Sequence, residues 1–318
     1  MNSKLRNALA DYNIRRYFIL LFILAAMLIG FSFKSPVFTT ISNFTNVTAK
    51  FAEIGLLSAS MSLVILTGNI DLSVGSVMCF SAFVVGSLMQ AGMPIAGAII
   101  LTLLIASGIG AINGAFIAYM DMQPVIVTLG TMTAFRGLCY VMKKGGPIRG
   151  FPDESFYNFG AGRLFGFIPY SFALLCLVFL GLFVLMKASR FGMDIKAIGN
   201  NEVAAAYSGI RVRAYKFLLF TFNGLIAGAA GIIILSRMQG LEASLGDGYE
   251  FDAITMCLLG GVSIQGGKGT LLGTFLGIIV IGYLKSGMNL VNISAFYQSA
   301  ILGVIILLSV VIGSIEKR

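Results

Sequence analysis

The chain has 318 residues, of which 58% are hydrophobic and 11% charged, with a mean hydropathy of +0.93 and a formal net charge of +9. A soluble domain carries about 25% charged residues, so this composition excludes an ordinary water-soluble fold and makes lipid the solvent. The basic excess gathers in a few segments between apolar runs, the positive-inside pattern of a polytopic protein, and nucleic acid is excluded as a partner.

In chain order, Lys4, Arg6, Arg15 and Arg16 precede a first apolar run at Tyr17–Phe33. That is the layout of a signal peptide, but the run continues through Ile29-Gly30-Phe31-Ser32-Phe33 without a small-x-small cleavage site, so it reads as an uncleaved first helix. Further helices are predicted at Phe51–Leu66, Leu72–Gln90, Pro94–Met120, Pro124–Met142, Gly166–Lys187, Tyr215–Leu235, Phe251–Val262, Thr270–Met288 and Phe296–Ile312. The expectation is an all-α, polytopic integral membrane protein of about ten transmembrane helices, some broken or re-entrant, forming a single transmembrane domain over residues 1–318.

Two polar stretches interrupt the apolar pattern. Residues 187–216 hold Lys187, Arg190, Lys196, Arg211, Arg213 and Lys216 against Asp194 and Glu202, which predicts a cytoplasmic location shared with the basic N-terminus and the Glu316-Lys317-Arg318 tail. Residues 143–169 conflict with this in part: Lys143, Lys144, Arg149 and Arg163 fall on the outer side by the same count, offset only by Asp153 and Glu154. Glycines at small-xxx-small spacing (Gly110/Gly114, Gly224/Gly228, Gly273/Gly277) predict close helix crossings. A faint internal echo links residues 110–130 to 273–303, each a Gly-rich helix, a polar break and another helix.

There is no His, and Cys79, Cys139, Cys176 and Cys257 lie in apolar runs without CxxC spacing, so they read as small buried side chains and no metal site is expected. Three intramembrane features carry polar chemistry. In Gly68-Asn69-Ile70-Asp71-Leu72-Ser73-Val74-Gly75-Ser76, a Gly-rich polar break separates two helices. Asp71 or Ser73 there either caps the third helix or, with Asn69, lines a pathway. Arg136, in the middle of the fifth helix, requires a partner, with Asp71 or Glu53 as candidates, or else snorkels to an interface. In Gly246–Asp252, acids in a first helical turn suit the helix dipole, and Asp252 is also a pathway candidate.

Catalytic motifs fail. Gly266-Gly267-Lys268-Gly269 imitates a phosphate loop, but Val262 replaces its first Gly and Gly269 stands where the magnesium-binding Ser/Thr belongs. No paired carboxylates or nucleophile elbow appears, so the chain is not expected to be an enzyme. An ion-coupled carrier would need a relay of intramembrane acids or histidines that this sequence barely offers.

Several blocks together resemble one family. Residues 65–76, then Gln123-Pro124-Val125-Ile126-Val127-Thr128-Leu129-Gly130 with Arg136-Gly137, then Ala197-Ile198-Gly199-Asn200-Asn201-Glu202 with Ser208-Gly209-Ile210, then 248–254 running to Gly260-Gly261 and Gly266–Gly269, are similar to the membrane permeases of bacterial monosaccharide ABC importers. The likeness is to the ribose type, including Gly287–Leu290 and Tyr297-Gln298, and permeases for rhamnose, galactofuranose and autoinducer-2 share much of it.

The resemblance implies a bacterial inner-membrane subunit with cytoplasmic termini, a second permease copy or close relative, and a periplasmic or lipid-anchored sugar-binding protein. It also implies a cytoplasmic ABC ATPase that holds the ATP and magnesium, with no cofactor on this chain. By the same resemblance, Gly199, Asn200, Glu202, Ala205 and Gly209 belong to the segment that couples to the ATPase, with one residue more than the general spacing. An ion-coupled secondary sugar carrier or a passive channel is the alternative.

Overall fold

The computed structural model describes residues 3–142, 148–149 and 154–315, with side chains over 14–142 and 155–311. Lys143, Lys144, Asp153 and the tail from Glu316 to Arg318, weighed above for charge balance, lie outside the described residues, as do the side chains of Lys4, Arg6, Arg149 and Glu154.

The described residues are mostly helical. α1 spans Ser3–Lys34, a 3-10 turn Pro36–Thr39, α2 Ile41–Leu66, α3 Val74–Gln90, α4 Ile95–Tyr119 and α5 Pro124–Met142. Then follow α6 Glu154–Ala161, α7 Tyr170–Ala188, α8 Arg190–Asn200, α9 Glu202–Tyr207 and α10 Val212–Met238. The last three are α11 Tyr249–Leu259, α12 Leu271–Leu290 and α13 Ala295–Ile315. Two antiparallel two-residue ladders, Ile148–Arg149 with Gly240–Leu241 and Arg163–Leu164 with Ile168–Pro169, tie loops together.

Seven described helices are long and apolar enough to cross a membrane: α1 over Ile14–Lys34, α2, α4, α5, α7, α10 and α12. α3 and the segment Ala295–Val311 of α13 are shorter apolar helices. With α11, they account for every apolar run read in the sequence, and the protein is an all-α multi-pass membrane protein.

The start of α2 differs from expectation by ten residues, Ile41 rather than Phe51. The polar run hid it: Thr40 accepts the Asn43 amide at 3.2 Å as a cap, and the Thr45 and Thr48 hydroxyls donate back to the Ile41 and Phe44 carbonyls. Polarity satisfied within a helix does not interrupt it.

α2 and α10 are the buried centre. They cross antiparallel, with Glu53 meeting Arg237 and Ser60 meeting Asn223. α10 packs on α3 and α4 while α2 packs on α11 and α12, and α3 and α11 pack in turn on α5 and α13. α4 runs antiparallel to α10, Gly110 facing Gly224 and Gly114 facing Phe217. α12 runs antiparallel to α2, Gly282 facing Phe51 and Ile278 facing Gly55. The segments α2–α5 and α10–α13 are thus two like arrangements in opposite senses, an inverted repeat. The sequence echo falls on equivalent pairs, α4–α5 and α12–α13.

Methyl groups at Gly110 or Gly224 would overlap the Phe220 or Ala106 carbonyl oxygens. Glycine is what lets these backbones touch, the main route to tight helix association where burial from water cannot drive it.

Candidate functional site

At the end of α2 the chain turns at Gly68 (φ +78°) and runs irregularly to α3. Irregular backbone inside a membrane protein survives only where its polar groups are satisfied by protein or cavity water, and here four helices supply partners. Asp71, 2% exposed, accepts the Ser73 amide (2.9 Å) and hydroxyl (2.6 Å) on Oδ1 and the Asn223 amide of α10 (2.8 Å) on Oδ2. Asn223 Oδ1 accepts the Ser60 hydroxyl of α2 at 2.5 Å. Asn113 of α4 donates to Ser73 Oγ at 3.1 Å and accepts the Thr131 hydroxyl of α5 at 2.5 Å. The Leu72 amide donates to Thr128 Oγ1 of α5 at 3.1 Å. Asn69 turns back to Thr67, donating to its carbonyl and hydroxyl.

Asp71 and Ser73 therefore form one buried knot tying α2, α4, α5 and α10 together, while Asn69 braces the turn beside it through Thr67. Asp71 shapes the entry to α3 through Ser73, while the cap residue Ser73 makes no side-chain capping bond of its own.

Arg136 does have a partner, but neither of those expected. Its Nη1 donates to the carbonyls of Ala243 (2.9 Å) and Leu245 (2.7 Å), and Nη2 pairs with Asp247 Oδ1 at 2.9 Å. Asp71 is held by Asn223 and Ser73. Glu53 is held by Arg237, whose Nε and Nη2 form a two-pronged bridge to Oε1 and Oε2 at 2.7 and 3.0 Å. Asp252 pairs with Lys285 of α12. Arg237 and Lys285 escaped the sequence reading, although the rule that singled out Arg136, a cation inside an apolar run, applies equally to Lys285.

At the basic end of the molecule, Ser189 and Asn201 cap α8 and α9 by accepting the Phe191 and Ala204 amides. α8 is held to α10 by the Tyr215 hydroxyl on Asp194 (2.5 Å), and α9 by Lys216 on Glu202 (2.6 Å) and by Ala205 packed with Ile198 and Val212. The rest of α9 faces outward: Val203 is 65% and Tyr207 90% exposed.

Gly199 and Asn200 point the other way. The Gly267 amide donates to the Leu66 carbonyl at 2.9 Å, Gly199 lies against both groups, and the Asn200 side chain lies against Gly267. The 260–270 loop, the end of α2 and the end of α8 thus meet backbone to backbone. Arg16 of α1 joins the same end by donating to Leu258 O at 2.8 Å.

Gly199→Ala would drive a methyl group into the Leu66 carbonyl and the Gly267 amide, neither of which can swing away. Overpacking of this kind costs about 1–3 kcal/mol. The variant is expected to melt in detergent roughly 2–12 °C below the parent. Gly137→Ala, inside α5 with nothing within 4 Å of the added methyl, is the control expected not to lower the melting temperature.

The family model described as the branched-chain amino acid transport system / permease component matches residues 43–310. The chain is 40% identical over 296 residues to the ribose import permease protein of Bacillus subtilis, covering 93% of this chain and 91% of that one. It is 35% identical over 315 residues to the ribose import permease protein of Haemophilus influenzae, covering 96% of each. It is 34% identical over 300 residues to the D-allose transport system permease protein of Escherichia coli, covering 93% and 91%. No solved structure matches the chain.

Proposed function

Because the chain belongs to the family of branched-chain amino acid transport system permease components, we propose that it is the membrane-spanning permease subunit of an ABC importer for a small sugar, ribose or a related monosaccharide. The observation that carries this reading is the end-to-end similarity to two ribose import permeases. In this reading the whole chain is one permease domain in the bacterial inner membrane, with both termini in the cytoplasm. It works with a second permease copy or close relative, a cytoplasmic ABC ATPase that holds the ATP and magnesium, and a binding protein that delivers the sugar.

The arrangement at the basic end suits that work. Residues 187–216 hold the coupling segment, and the exposed Val203 and Tyr207 of α9 are the apolar pair that enters a cleft of the ATPase. When ATP draws two ATPase domains together, α9 moves with them. Glu202 and Ala205 tie α9 to α10 and α8, and Gly199 and Asn200 carry the displacement to Leu66 and the 260–270 loop. Both contacts lie next to the interrupted helices, so a shift at the cytoplasmic surface reaches the segments whose rearrangement switches the cavity between faces.

The test is purification of the tagged protein from native membranes in mild detergent, with the accompanying chains identified by mass spectrometry. A stoichiometric soluble chain with a Walker A motif is expected. A protein that emerges alone and still supports sugar uptake in ATP-free proteoliposomes overturns the reading in favour of a secondary carrier or channel.

A further inference from the structure

α3 and α11 both begin inside the bundle, and their first turns touch. Gly75 of α3 lies against the Gly246 carbonyl and against the carboxylate of Glu250 in the first turn of α11. Glu250 is 5% exposed. Its Oε2 has no hydrogen-bond partner. Among the described residues it is the one buried side-chain oxygen or nitrogen left in that state. Glu53, Asp71 and Asp252, buried carboxylates in the same bundle, are bonded to Arg237, to Ser73 and Asn223, and to Lys285. An unpaired buried acceptor costs about 1–3 kcal/mol and more when charged, so Glu250 stands apart from a bundle whose other acids are satisfied.

What surrounds Oε2 defines what it can take. A methyl group at Gly75 would stand 2.5 Å from Oε2 and 2.6 Å from the Gly246 oxygen, so a glycine keeps this point free of side chain. The first-turn amides of α3 have no acceptor within their own helix. The first turn of α3 and an unfilled acceptor of α11 therefore meet at Gly75. An anion there is repelled by Glu250, and a cation by the positive end of the α3 dipole. A neutral hydroxyl, which donates and accepts at once, satisfies both. The place is not remote from the surface: Asp247, three residues from Glu250, is 55% exposed.

We propose that Glu250 is a specificity-determining residue of the translocation pathway: as α3 and α11 part at Gly75, Oε2 accepts a hydrogen bond from a hydroxyl of the passing neutral sugar, and the first-turn amides of α3 donate to it. This rests on the permease reading above and names the chemistry by which the pathway recognises its cargo.

The experiment uses the full complex in proteoliposomes, measuring uptake of labelled ribose and of its monodeoxy analogues at saturating sugar-loaded binding protein, so that the binding protein's own affinities drop out. In the parent, one monodeoxy analogue is expected to be carried at least tenfold more slowly than ribose. In Glu250→Gln that difference is expected to shrink to less than threefold, with ATPase assembly retained. If Glu250→Gln fails to assemble, Glu250→Asp, which keeps the charge and withdraws it by one methylene, decides by the same ranking. Parent-like ranking in the variant that assembles overturns the assignment of Glu250 alone. A parent complex with no ATP-driven uptake overturns instead the permease reading beneath it.

Discussion

Glu202→Lys is expected to abolish ATP-driven sugar uptake while leaving the protein in the membrane. Glu202 opens α9, where its charge suits the helix N-terminus, and its Oε1 lies 2.6 Å from the Lys216 ammonium. Reversal places two ammonium groups together and sets a cation against the positive end of the dipole, each effect worth about 0.3–1 kcal/mol at an exposed site. Those sums are too small to unfold a bundle of this size. They are large for a helix of six residues held by one cap, one ion pair and the Ala205 contact. α9 is expected to swing from its seat and take Val203 and Tyr207 out of register with the ATPase. The checks are uptake in proteoliposomes, membrane yield and co-purifying ATPase: uptake falling at least a hundredfold with membrane yield unchanged is the expected result. Parent-like uptake would remove α9 from the coupling role.

Arg237→Ala is expected to be the most destabilising change of side-chain charge. Glu53 is 1% exposed and its carboxylate is bridged at both oxygens by Arg237, so removing the guanidinium leaves a charge buried at the crossing of the two central helices. Breaking such a pair from one side costs about 3–5 kcal/mol, which corresponds to a fall in melting temperature on the order of ten degrees. The double variant Glu53→Gln/Arg237→Gln removes both charges and is expected to recover at least half of that loss, because the penalty belongs to the stranded partner and not to the missing attraction. Melting in detergent followed by size-exclusion chromatography measures both. Equal loss in the single and double variants would show that the two charges do not act as a pair.

The bundle was legible in the sequence because lipid demands long apolar helices, and each apolar run corresponds to one. What stayed hidden was whatever depends on residues far apart in the chain. Arg136 announced that it needed a partner, but Asp247 and the carbonyls of Ala243 and Leu245 come from a loop a hundred residues away, and only the crossing of α3, α5 and that loop brings them together. Glu53 reads in the sequence only as a possible partner for Arg136, and Arg237 lies two residues beyond the predicted run Tyr215–Leu235, where a charge raises no alarm. Only the antiparallel crossing of α2 and α10 makes them neighbours. Asp71 was singled out for its depth, yet the Asn223, Asn113 and Ser60 side chains that satisfy its network are ordinary polar residues in apolar helices. Gly199 and Glu202 belong to one sequence block but face opposite ways, because Asn201 ends one helix and caps the next.

The inverted repeat has a consequence for direction. Two like halves set in opposite senses offer nearly the same scaffold to both sides of the bilayer, so the scaffold alone has no preferred sense of travel. The halves differ in the connection that leads into each central helix. Before α2 it is a single 3-10 turn, Pro36–Thr39, without charge; before α10 it has grown into α8 and α9 with their basic flanks. In the function proposed above, polarity of the whole machine resides in that one enlarged connector, and an engine mounted there would drive an otherwise reversible frame from one side.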